Sequence, residues 1–284
     1  MNVAVIVPTC REDQIKKFKL AWKKQLELHE AKLIIVHDGD EPWIEADHNF
    51  TVASLMGEDL SLISSHTSAV RNAGTAYAAL VGFEVLFTVD DDCKPIGDTI
   101  GDHLKALYQR VPISWMPIGT QYTRGFPYEI RQEAPVMLSH GVWQGIYDYD
   151  APSQFFRGYP DMEFYEMTIP KGCYAPISGM NLAFKREAVP YMYFAPREDG
   201  IARHDDIFMG IVAKREFDKR NWAMVTGYAT VEHQKMSSVY ANLQKESLGL
   251  MLNEVFWQGD ENHPYFRRYK EKRKRWEKFI KKLN

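Results

Sequence analysis

The first ninety residues alternate between short, continuously apolar runs and longer stretches in which apolar residues recur at helical spacing. Val3-Ala4-Val5-Ile6-Val7 is a largely β-branched run with no polar position, the mark of a strand buried on both faces. A polar turn, Thr9 to Asp13, opens an amphipathic helix that runs to about His29. Lys32 to His37 reads as a second buried strand, closed by Asp38-Gly39-Asp40. Ser68 to Val81 is an alanine-rich helix, and Val85-Leu86-Phe87-Thr88-Val89 a strand that runs straight into Asp90-Asp91-Asp92. Strands alternating with helices predict βαβ units: an α/β fold with a mostly parallel central sheet flanked by helices.

Ligands of such sheets lie outside the carboxyl ends of the strands. The polar clusters Thr9–Arg11, Asp38-Gly39-Asp40 and Asp90-Asp91-Asp92 all fall at such ends, so three strands deliver their polar groups to one edge. Residues 111–200 are rich in Pro, Gly and aromatics and show few clear periods. Beyond them, Asp205 to Lys219 reads as helix, Trp222 to Val231 as strand and Ser237 to Trp257 as helix. Pro8 cuts the N-terminal apolar run short, so that run is too brief for a signal peptide or a membrane span. No linker divides the chain, so residues 1–264 are expected to form a single domain, followed by a basic amphipathic helix over 265–284.

Apolar residues are 45% of the 284, ample for a buried core. The net charge of -3 argues against a general nucleic-acid binder, yet it hides an asymmetry. From Arg267 onward the chain carries ten basic and two acidic residues. Tyr265, Tyr269, Trp276, Ile280 and Leu283 make an apolar stripe along that tail. Either the stripe docks on the protein and leaves a solvated basic face, or the helix attaches to a membrane surface, to an acidic partner or to a second copy. Truncation after Pro264 is expected to leave catalysis largely intact. Cys10, Cys93 and Cys173 form no CxxC pair, and no stretch reaches the length of a membrane span; a reducing, cytoplasmic setting is the expectation.

Three adjacent carboxylates repel one another unless a cation neutralises them. At the end of an apolar strand, Asp90 and Asp92 are therefore read as ligands of Mg²⁺ or Mn²⁺ bridging to a diphosphate, against the alternative of a solvated acidic turn. A DxD after a hydrophobic strand, with a PT-containing first strand, is similar to the pattern of GT-A type nucleotide-sugar enzymes. His233, after a late strand, is the candidate third ligand, and Lys235 then meets a phosphate; a structural histidine is the alternative. Asp205-Asp206 opens a predicted helix, as caps or as carboxylates beside the reacting sugar. Arg71, one turn into its helix, holds phosphate or makes a surface ion pair.

Longer stretches resemble one family, the reversibly glycosylated polypeptides, also described as UDP-arabinopyranose mutases. They include VPTCR (7–11), HDGD (37–40), FTVDDDC (87–93), RGFPYEIRQ (124–132) and SHGVWQGIYDYDAPSQ (139–154). MTIPKGCYAPISGMNLAFKRE (167–187), RHDDIFMG (203–210) and HQKMSSVYANLQKE (233–246) continue the series in family order to about Trp257. The resemblance implies a GT-A-like fold, a Mn²⁺ or Mg²⁺ requirement, a UDP-sugar substrate, and interconversion of UDP-L-arabinopyranose and UDP-L-arabinofuranose without flavin. It places Thr9, Arg11 and Asp38 at the nucleoside, Asp90 and Asp92 on the DxD, His233 on the late metal ligand, and Asp205-Asp206 near the sugar. The family's self-glycosylated arginine follows the DYDAP motif. Here the segment Ser153 to Glu166 is shorter and holds a single arginine, Arg157, expected to contact the diphosphate or gate the cleft with Gly158 as its hinge. Trp143, Tyr147 and Tyr149 are expected to line a closed aromatic pocket. A glycosyltransferase that passes the sugar to a saccharide or protein acceptor would use the same cleft and remains the alternative.

Overall fold

Alternate residues of the first strand feed opposite cores. In the computed structural model, which describes residues 2–38, 42–51, 62, 68–114, 124–157, 164–195, 203–234, 238–259 and 262–283, β1 (Val3–Thr9) sends Ala4 and Ile6 into one apolar cluster. Val3, Val5 and Val7 enter another. Successive side chains of a strand point to opposite faces, so a run buried throughout needs cover on both sides. α1 (Glu12–Leu28) supplies it on one face through Ile15, Phe18 and Trp22. After β2 (Lys32–His37) and β3 (His48–Thr51), α2 (Arg71–Val81) covers the other face. Gly74 explains how closely α2 lies on the sheet: a Cβ there would stand 2.6 Å from Ile6 Cγ2 and 2.9 Å from Val36 Cγ2.

β4 (Val85–Val89) pairs with β1 in parallel, on the side away from β2. The chain continues through β5 (Cys93–Ile96), α3 (Thr99–Leu107), β6 (Arg110–Pro112), β7 (Glu133–Gly145), α4 (Ala151–Arg157) and β8 (Met167–Thr168). It closes with β9 (Asn181–Lys185), α5 (Asp205–Arg220), β10 (Ala223–His233), α6 (Val239–Trp257) and α7 (Pro264–Leu283). The strand order is β3-β2-β1-β4-β9-β7-β10-β5, with β6 beside β7 and β8 beside β10. Along that path only β9 and β5 run against the others. The order reverses at β1, the switch point where open α/β sheets form their ligand crevice. β1 stays paired with β2 as far as Thr9↔His37, but its pairing with β4 ends at Ile6↔Thr88. Pro8 lies within β1 and does not stop it. It falls beyond the last β1–β4 pair, where one ladder has already ended.

Residues 111–200, irregular by pattern, contain β7 and β9, which carry the sheet from β4 across to β10. Their polar residues form an internal hydrogen-bond network instead of an apolar alternation. His103 on α3 contacts Ser139 Oγ at 2.9 Å and Asn181 Oδ1 at 2.8 Å, and Asn181 Nδ2 donates to the Val142 carbonyl at 2.9 Å. Burial pushes His103 down to about 4, so the ring stays neutral within this network.

The apolar stripe of α7 is built into the main core. Tyr265, Phe266, Tyr269, Trp276 and Ile280 are all buried in the cluster that also contains α2 and α5 side chains. Trp276 Nε1 donates to the Val189 carbonyl at 2.9 Å and Tyr269 Oη to that of Tyr193 at 3.1 Å. Arg267, Arg268, Lys274 and Lys278 remain on the exposed face. No described helix is long and apolar enough to cross a membrane.

Candidate functional site

The carboxyl end of β1 grips the turn that follows β4. Thr9 Oγ1 donates to Asp91 Oδ2 at 2.6 Å, and Arg11 bonds both Asp91 oxygens while its Nη2 donates to Asp92 Oδ2 at 3.1 Å. Gln14 Nε2 donates to the Asp91 carbonyl at 3.2 Å. The repulsion among three adjacent carboxylates is thus met largely from within the protein. Thr9 and Arg11, expected at the nucleoside, line the cleft, with Thr9 Oγ1 and the Nε and Nη2 of Arg11 engaged by Asp91 and Asp92. Asp38, at the end of β2, also lines it, and its N–H ties back to the Thr9 carbonyl at 2.8 Å.

Arg71 is not a surface residue. It opens α2 at 5% exposure, pairs with Asp90 Oδ1, and packs its guanidinium 5.6 Å from the Phe194 ring centre. Burial lowers its pKa, opposed by the nearby carboxylates of Asp206 and Asp205. One arginine thus stands between the Asp triplet and the acidic pair of α5. In that pair, Asp206 Oδ2 accepts from Gly179 N at 3.0 Å and Oδ1 from Ile207 N at 2.9 Å. Asp205 Oδ2 is buried without a hydrogen-bond partner. The N-cap of α5 is His204, so neither aspartate is the capping residue. Burial, reinforced by Asp206, pushes the Asp205 carboxyl up to about 7.

This shift has a consequence for stability. Below pH 7 the folded protein holds a proton on Asp205 that the unfolded chain gives up near 3.8, so unfolding releases a proton and stability falls as pH rises from about 4 to 7. Asp205→Asn removes the cost of burying that charge. The variant is expected to melt above the parent at pH 8, by a margin that shrinks towards pH 4, at about 1.4 kcal/mol per pKa unit as an upper bound. Parallel thermal melts across that range decide it; a margin independent of pH would place the cost elsewhere.

Asp92 and His233 form a second feature beside the cleft. His233 Nδ1 donates to the Ile146 carbonyl at 2.8 Å, which leaves the lone pair of the neutral ring on Nε2. Nε2 stands 4.0 Å from Asp92 Oδ1, a buried oxygen with no hydrogen-bond partner. An imidazole lone pair and an orphaned carboxylate oxygen at that separation fit the two protein ligands of a divalent cation, with water and phosphate oxygens completing its shell. Asp90, the other expected ligand, is paired with Arg71, and among the described residues no three His, Cys, Asp or Glu side chains converge on one point. Lys235 lies outside the described residues, as do Gly39 and Asp40.

The cleft, about 690 Å³, gathers Thr9, Arg11, Asp38, Arg71, Asp90, Asp205 and Asp206 from the sequence-predicted set. It also contains residues that reading did not single out. Asp148 is pushed up by burial and by Asp206, and is hydrogen-bonded to Ser178. Arg203 and Glu246 form a 2.7 Å ion pair at the wall. Asp148 lies within the YDYD stretch, where four polar-capable residues in a row were the available signal. Arg157 ends α4, exposed, and is not among the residues that line the cleft; Gly158 lies outside the described residues. Of the three expected aromatics, Tyr149 lines the cleft with Tyr147 packed 5.6 Å behind it. Trp143 packs against the core cluster beneath α1 and is not among the cleft-lining residues described.

An α/β sheet covered on both faces opens at its switch point into an acid-lined cleft, the place where such sheets hold their ligands. The chain belongs to the reversibly glycosylated polypeptide family, whose model matches residues 1–268. UDP-arabinopyranose mutase 3 of Arabidopsis thaliana is 33% identical over 291 residues, covering 92% of this chain and 76% of that protein. UDP-arabinopyranose mutase 1 of Oryza sativa subsp. japonica is 32% identical over 285 residues, covering 90% and 75%. Among solved structures, Staphylococcus aureus TarS aligns over 84% of this chain and 38% of its own at 14% identity, with a TM-score of 0.47.

Proposed function

We propose that this chain is a metal-dependent mutase that interconverts UDP-L-arabinopyranose and UDP-L-arabinofuranose. The observation that carries the reading is the buried Asp205 carboxyl, unpartnered at Oδ2 and raised to about 7, in the same cleft as Asp90 and Asp91. The names of the mutase relatives agree with it. Ring contraction breaks the bond from C1 to the UDP oxygen, brings a second sugar hydroxyl to C1, opens the original C1–O ring bond and returns UDP. The incoming hydroxyl must lose a proton and the released ring oxygen must gain one. A carboxyl titrating near neutrality serves both needs, because it accepts and returns a proton with little free-energy cost. Asp206, fixed by two backbone amides, keeps its charge in place to favour the cationic sugar. Tyr149, backed by Tyr147, limits the entry of water that would trap that sugar. A divalent ion held by Asp92 and His233 would supply charge to the departing diphosphate.

The test is chromatography of UDP-arabinopyranose after incubation with protein and Mn²⁺. Appearance of the furanose isomer is expected; unchanged substrate across several UDP-pentoses and UDP-hexoses would end the mutase reading. Asp92→Asn is expected to abolish most of the divalent-ion dependence of UDP binding in calorimetry. An unaltered metal-dependent affinity would assign Asp92 to a structural turn.

A further inference from the structure

The cleft must hold a diphosphate, yet its wall is largely acidic: Asp38, Asp90, Asp148, Asp205, Asp206 and Glu246 all contribute. Two of its arginines are committed to the Asp triplet, Arg11 to Asp91 and Asp92 and Arg71 to Asp90. Arg203 is placed differently. Its Nε donates to Glu246 Oε1 at 2.7 Å, the only ion pair it makes among the described residues. Glu246 is 2% exposed, and its other oxygen accepts from the Ala151 backbone N–H, the first residue of α4, at 2.7 Å. A buried carboxylate fixed at both oxygens is a rigid anchor. It orients the guanidinium through Nε and leaves the two terminal NH₂ groups to meet something else.

Arg203 lines the cleft, where it acts electrostatically on Asp148 and Asp206 without bonding either. Arg203 also holds a left-handed backbone, φ 65°, uncommon for a residue with a side chain. A planar fork with two unspent donors suits phosphate oxygens better than a point charge does. We infer that Arg203, aimed by Glu246, holds the diphosphate of the nucleotide in the cleft. Under the mutase reading, on which the purpose rests, this grip keeps UDP beside the sugar until it reattaches to C1. Glu246 acts through Arg203 and is a positioning residue.

Calorimetry with UDP and Mn²⁺ tests the assignment without requiring turnover. Arg203→Ala is expected to weaken UDP binding about 10- to 100-fold, the range for hydrogen bonds to charged groups. Arg203→Lys keeps the charge but loses the fork and the Nε bond, and is expected to fall between the two. Glu246→Gln is expected to weaken UDP less than Arg203→Ala, and the double variant to bind no worse than Arg203→Ala alone, because both act through one guanidinium. Melting curves without nucleotide check each fold; should Arg203→Ala fail to fold, Arg203→Lys carries the decision. Parental UDP affinity in a folded Arg203→Ala or Arg203→Lys protein overturns the assignment, and fully additive losses overturn the aiming role of Glu246. A protein that needs Arg203 for UDP yet leaves every UDP-pentose unchanged would count against the mutase reading and not against this one.

Discussion

Trp276→Ala is expected to destabilise the protein by about 3–5 kcal/mol, although the residue lies in a tail that reads as separable. The indole is fully buried, donates to the Val189 carbonyl and packs its ring 5.7 Å from that of Tyr193. Removal of residues 265–284 would strip Tyr265, Phe266, Tyr269, Trp276 and Ile280 from the core together. Each such side chain contributes roughly 1.5–3 kcal/mol, so the loss is on the order of the whole stability of a typical domain. Truncation after Pro264 is therefore expected to yield a protein that does not fold, in place of an active one with altered attachment. Urea unfolding of Trp276→Ala and circular dichroism of the truncated chain decide this. A truncated protein with a parental melting curve would show that the tail packs on a finished core. Tyr269 is close enough to Asp205 for the carboxylate to act on its hydroxyl, so the helix also backs the site.

The largest catalytic effect is expected at Asp205. Asp205→Asn should lower turnover about 10²- to 10⁴-fold, the range a positioned acid–base group supplies, while metal-dependent UDP affinity changes little. The same substitution is expected to stabilise the folded protein above pH 7, so lost activity cannot be ascribed to unfolding. Turnover within a few fold of the parent would move proton transfer to Asp148 or Asp206, both raised by burial in the same cleft.

The parts of the site legible in the sequence are those that local pattern fixes. Apolar runs ending at Val7, His37 and Val89 marked strands, and strands of one direction place their carboxyl ends on one edge. Thr9, Asp38 and Asp90 therefore meet as expected. Arg71 was identified as a residue but not in its setting: one turn into a helix gives no sign that it is buried between two acidic groups. Arg157 shows the converse, an arginine beside a recognisable motif that is exposed at the end of α4 and is not among the cleft-lining residues described.

Sequence by itself determined the βαβ beginning, the acidic triplet at a strand end, the acidic pair opening α5 and the amphipathic tail, because each depends on neighbours a few residues apart. Tertiary structure alone decided that β9 and β7 stand between β4 and β10, since His103, Ser139 and Asn181 satisfy one another across three elements and leave no apolar period to read. It likewise decided that Asp148, Arg203 and Glu246 share a wall with Asp206, and that the stripe of α7 closes the core instead of awaiting a partner. Strand order and the burial of charge depend on contacts between residues far apart in the chain. Neither leaves a periodic trace along it.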